Sequence, residues 1–167
     1  MMRKFLLTAL AALSVLSCGP SRDSQAYLVM LKVEEYIGAD PDSLPAFQPD
    51  SVVTQAMRYF ERHGSADQKL KMYLYNGLLK QKDGNNEGAM EMFVKGENLA
   101  SSCDNNAVLG KLYKAKMSVN QEIYNYAQAI SDAENAAKCF LESGDQANYY
   151  NTIIDQAILY HSVNDSE

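Results

Sequence analysis

The sequence predicts an all-α protein, a solenoid of stacked antiparallel helical hairpins with about seven helices after the export segment, and three observations predict it. Apolar residues recur at helical spacing along most of the chain. No stretch alternates β-branched and polar residues as a half-buried strand would. Residues also return at a fixed offset of forty, which is the signature of an internal repeat. Tyr73 returns as Tyr113, Ala89 as Ala129, and Gly96 as Ala136. Phe60, Ala100 and Phe140 fall in the same register, as do Gly77, Met117 and Ala157.

The chain opens on a segment that belongs to export and not to the fold. Arg3 and Lys4 precede the uncharged run Phe5 to Leu16, which closes on Val15-Leu16-Ser17-Cys18. That run is too short to span a bilayer, which takes about 20 apolar residues. Residues 1–17 therefore read as a removable signal. Residues 18–23 form a polar tether. In the region 24–49, Ala26, Met30, Val33 and Ile37 mark a helix from Ser24 to Gly38. Three of the four prolines then make Ala39 to Pro49 a loop.

The helical repeat region spans 50–167. Asp50 or Ser51 caps a helix whose inner face is Val53, Ala56, Tyr59 and Phe60, with Gly64 just beyond its end. Lys69 to Lys82 and Glu87 to Ala100 form the first hairpin around the turn Asp83-Gly84-Asn85-Asn86. Leu109, Leu112, Tyr113 and Met117 mark the first helix of the second hairpin. Tyr126, Ala129, Ile130, Ala133, Ala136 and Phe140 mark its second helix, and a lone helix follows. Small residues at Gly77, Ala89, Gly96 and Ala136 let helices approach, with Phe93 expected to fill the space between hairpins.

Composition narrows the function. The net charge is −6, and loss of Arg3 and Lys4 takes it to −8. An acidic balance argues against nucleic acid, whose phosphates need a basic footprint, and against a basic membrane-binding face. Cys103 and Cys139 lie on successive hairpins, where a bridge is geometrically conceivable and free thiols are the alternative. Two cysteines without a nearby histidine pair do not make a zinc site, and no metal or cofactor is expected. No nucleophile stands at a recognisable catalytic spacing from His63 or His161 in the sequence. Glu34 and Glu35 are adjacent on a helix and do not face each other. Asp40 and Asp42 flank a proline and suit turn chemistry. Nothing here points to an enzyme.

Two resemblances add to this reading. Val15-Leu16-Ser17-Cys18 resembles the lipobox of bacterial lipoproteins, with the bulkier Leu16 where a small residue is usual. The resemblance implies cleavage before Cys18 and acylation of its thiol, which would anchor the protein to a membrane of the cell envelope. Gly19 in place of the aspartate linked to inner-membrane retention points to the outer membrane. An ordinary signal peptide with an incidental cysteine is the alternative. Tyr73, Gly77, Gly84, Ala89, Phe93 and Gly96 match the spacing of the tetratricopeptide repeat signature over about residues 50–167. The second hairpin keeps Tyr113, Ala129 and Ala136 but departs at Met117 and Ala133, and Asn76, Lys116 and Gln156 stand where that family has leucine.

The resemblance implies a concave groove lined by the first helix of each hairpin. Lys71, Leu74 and Leu78 would face it from the first, and Lys111, Lys114, Ser118 and Gln121 from the second. Asn151, Ile154 and Ile158 would follow from the last helix. Such a groove would take a peptide or protein of the cell envelope that carries carboxylates. In the competing reading these lysines are simply solvated, and Ile154 and Ile158 belong to the core. The implied function is a membrane-anchored interaction scaffold. The alternative is a truncated sensory or regulatory module of a signalling protein.

Overall fold

The computed structural model describes residues 21–38 and 50–164. The export segment, Cys18 and the proline-rich loop 39–49 lie outside them. The described residues form seven α-helices and one 3-10 turn, with no strand among them. They are α1 (Arg22–Gly38), α2 (Asp50–His63), α3 (Ala66–Lys82) and α4 (Asn86–Glu97). After the 3-10 turn Ala100–Ser102 come α5 (Asn106–Glu122), α6 (Tyr126–Ser143) and α7 (Gln146–Asn164). The all-helical class read from the sequence is the class observed.

Helix starts are set by side-chain caps spaced with unusual regularity. Helices α3 to α7 begin at residues 66, 86, 106, 126 and 146, each preceded by Ser65, Asn85, Asn105, Asn125 or Asp145. Such residues accept bonds from backbone N–H groups that the first helical turn leaves unpaired. Ser65 makes a reciprocal capping box with Gln68, whose side chain accepts from the Ser65 N–H at 2.7 Å. Asn85 accepts from the Gly88 N–H at 2.8 Å, Asn105 from Val108 at 3.1 Å, and Asp145 from Asn148 at 3.1 Å. Asn125 makes no such bond.

Three boundaries differ from expectation by two residues or more, one being the start of α3 at Ala66 and not Lys69, behind the Ser65 cap. The tether is shorter because α1 starts at Arg22, where the Ser21 hydroxyl accepts from the Ser24 N–H at 3.2 Å. Helix α4 stops at Glu97, three residues before Ala100, and the chain tightens into the 3-10 turn. There the Asp67 carboxylate accepts from the backbone N–H groups of both Asp104 and Asn105 at 3.1 Å. That pair of bonds pins the entry to α5.

Each helix packs against its neighbours in sequence, and α3 also packs against α1 and α5. The main core draws on α1 through α6, with Phe60, Phe93, Leu70 and Leu112 fully buried within it. A smaller cluster of Met117, Ala129, Ala133 and Leu159 ties α7 to the second hairpin. Close approach depends on glycine. A Cβ at Gly77 would lie 2.2 Å from the Phe93 ring, and one at Gly96 would lie 2.4 Å from Leu112. Phe93 thus fills space inside the first hairpin, while Gly96 opens the contact with the next one. The expectation that Phe93 lies between hairpins was therefore misplaced. Gly110, unmarked in the sequence, holds the Phe140 ring in the same manner.

Candidate functional site

The lysines expected along the first-helix face meet two different fates. Lys71 on α3 reaches across to Glu34 on α1 at 3.0 Å, and Lys114 on α5 reaches Asp155 on α7 at 2.9 Å. Both are braces between first helices. A hydrogen bond from Tyr75 and the nearby ammonium of Lys71 hold the Glu34 carboxyl below its ordinary value, against a weaker opposing effect of burial. Burial, then the Glu34 carboxylate, raises the Tyr75 phenol. Lys111 is exposed and makes no ion pair within 4 Å among the described residues, although its charge is felt by both Glu34 and Asp145. It is the lysine of the three with its charge left to offer.

The remaining residues divide the same way. Leu74 is only 1% exposed, because α1 and α5 flank α3 and leave it no solvent side; it is a core residue. Leu78 is half-buried against the same core. Ser118 accepts a bond from Gln81 on α3 at 3.1 Å. Gln121 and Asn151 are exposed, and Ile154 and Ile158 are more than half exposed. Of the competing readings for those two isoleucines, core packing does not hold. The face is therefore closed over α3 and open over α7. Along α7, Tyr150, Ile153, Ile154 and Ile158 form an exposed apolar strip, with Asp155 turned aside to Lys114. That spacing is the pattern by which a helix meets another apolar surface.

A polar cluster that the sequence reading did not single out lies between the hairpins. The Lys116 ammonium sits 2.7 Å from Glu97 on α4 and 3.0 Å from Asp132 on α6. Asp132, fully buried, accepts from Asn120 at 2.8 Å. Burial works against the Lys116 charge, but the two carboxylates outweigh it and raise its pKa. The signal was present: Lys116 stands at an inward place, and Asp132 interrupts the alanine face of Ala129, Ala133 and Ala136. Such a cluster fixes which helices pair, because each buried charge needs its partner.

Other reactive groups are quiet. Burial, with Asp67 beside it, pushes the Cys103 thiol up to about 11, so it stays protonated at neutral pH and is a poor nucleophile. Cys139 is buried, and both thiols are free. His63 is exposed and stacks on Tyr59 with ring centroids 4.9 Å apart. Among the described residues no group of three histidines, cysteines or carboxylates is placed to hold a metal, and no helix is long and apolar enough to cross a membrane. No protein-family model, curated protein or solved structure matches this chain.

Proposed function

We propose that this chain is a lipid-anchored interaction scaffold of the cell envelope, a tetratricopeptide-like stack of hairpins that holds a partner protein. Its working surface, in this reading, is the open end of the first-helix face, where Asn151, Ile154 and Ile158 are exposed on α7 and Lys111 is exposed on α5. The observation that carries the reading is the exposed apolar strip on α7. It places several large side chains in water, a cost a folded helix avoids unless another surface covers them. The regular helix starts and the contacts of α3 with both α1 and α5 support a stack of hairpins with a forty-residue period. Anchorage would come from acylated Cys18, which the sequence pattern alone supports.

Affinity capture from detergent-solubilised membranes tests this. Lys114 is a poor choice for charge reversal, because it would open the contact with Asp155. Lys111→Glu/Ile154→Asp changes only exposed positions. The wild type is expected to capture a discrete envelope protein that the variant loses. A folded variant that retains the partner would place the binding surface elsewhere.

A further inference from the structure

A cleft of about 750 Å³ lies away from the first-helix face, between α1 and α2. Its floor is apolar, made by Ala26, Val29 and Ala56. Its rim is basic: Arg22 and Lys32 come from α1, Arg58 and Arg62 from α2, and all four are exposed. No aspartate or glutamate is among the residues that line it. In a chain of net charge −6 this is a marked segregation. An overall balance is a sum and does not report such a local concentration of one sign.

Position adds to charge. Tyr27 near the start of α1 packs on Phe60 near the close of α2, so the two helices run antiparallel and Arg22 lies at the same end as Arg62 and His63. Arg22 stands four positions after Cys18, a reach of at most roughly 14 Å even when fully extended. The Arg22 end of the rim is thus tethered to within little more than one screening length of the anchor point, since charges act over about 8–10 Å in physiological salt. We infer that the α1–α2 cleft docks on the anionic phospholipid headgroups of the membrane that holds the protein. The four cations meet phosphate groups there and fix the orientation of the stack. This rests on the anchoring of Cys18 proposed above.

Arginine footprinting of the full chain purified from membranes tests it. The protein is reconstituted on vesicles of phosphatidylcholine alone, or with about 30% phosphatidylglycerol, and phenylglyoxal modification of Arg58 and Arg62 is followed by mass spectrometry. Modification is expected to slow several-fold on the anionic vesicles and to recover in about 0.5 M salt. A Lys95→Glu/Lys138→Glu control, at exposed sites on α4 and α6 that do not line the cleft, should keep that protection. Equal rates on both vesicles overturn the proposal. So does a slowdown that the control also loses, which would report net charge alone. Protection by poly-glutamate and not by phosphatidylglycerol would assign the cleft to an acidic polypeptide and equally overturn it. Flotation on pure phosphatidylcholine scores the anchor separately: failure there counts against Cys18 acylation, while the headgroup dependence is still measured.

Discussion

The hairpin α3–α4 and the hairpin α5–α6 start forty residues apart and fill their interiors in opposite ways. In the first, Gly77 receives the ring of Phe93. Their counterparts forty residues on are Met117 and Ala133, which share one small cluster with the large residue now on the first helix and the small one on the second. A second exchange runs the other way. Leu70 and Ala100 pack in the main core, and their counterparts are Gly110 and Phe140, with the ring lying over the glycine. The backbone spacing is kept while volume moves across the helix pair. Cores tolerate such trades when total volume is conserved.

Polarity does not trade in this way. At the first hairpin Asn76 donates to the Met57 sulfur at 2.8 Å, and Met92 is buried. Forty residues on from Asn76, Met92 and Met57 stand Lys116 and Asp132 in the second hairpin and Glu97 at the end of α4, joined as an ion-paired cluster. The first hairpin is held mainly by shape, the second by shape and by charges that must be matched.

The largest effect should come from unmatching those charges. Lys116→Leu leaves Asp132 buried without its cation and is expected to cost about 3–5 kcal/mol in urea unfolding. Lys116→Leu/Asp132→Leu should recover most of that loss. If the double variant is as unstable as the single, the cluster is not what distinguishes the hairpins. Next is Gly77→Ala, whose methyl meets the Phe93 ring and should cost about 1–3 kcal/mol, a penalty that Phe93→Leu in the same chain should reduce. A neutral Gly77→Ala would mean that this close approach does not hold.

A smaller contrast sits at the turns. Gly84 has φ 76° and its counterpart Tyr124 has φ 60°, a left-handed conformation that costs a tyrosine but not a glycine. Tyr124→Gly is expected to stabilise by about 1 kcal/mol, and Gly84→Ala to destabilise by a similar amount. Tyr124 is 78% exposed, so little packing is lost in the exchange.

Smallest is an acid-limb effect at the start of α7. Bonds from the side chain and backbone N–H of Asn148 hold the Asp145 carboxyl below its ordinary value. The stability it adds is complete above the unfolded carboxyl value of about 3.9 and is lost as pH falls through the lower folded value. Asp145→Asn should flatten the pH dependence of the melting temperature across that window. An unchanged slope would mean that Asp145 does not cap the helix in solution.

Much of the architecture was legible because it is local. Caps, the Gly84 turn and helical spacing are written within a few residues, and they located most helix boundaries. The face of α2, with Val53, Ala56 and Phe60 buried, was equally plain. The burial of Leu74 was not, because it depends on α1 and α5 closing over α3, and no pattern within α3 encodes that. The fates of Lys71 and Lys114 were hidden for the same reason, since their acids lie 37 and 41 residues away in sequence. The basic cleft draws on two helices separated by the proline-rich loop, and its charge vanished into an acidic total.

The central claim is that the open end of the first-helix face, at α7, meets a partner. Site-specific photo-crosslinking in cells tests it most directly, with the photoreactive residue placed at Ile154 and, as a control, at Val94, an exposed apolar position on α4. A discrete adduct from position 154 and none from position 94 is the expected result. Adducts from 94 alone, or equally from both, would contradict the claim.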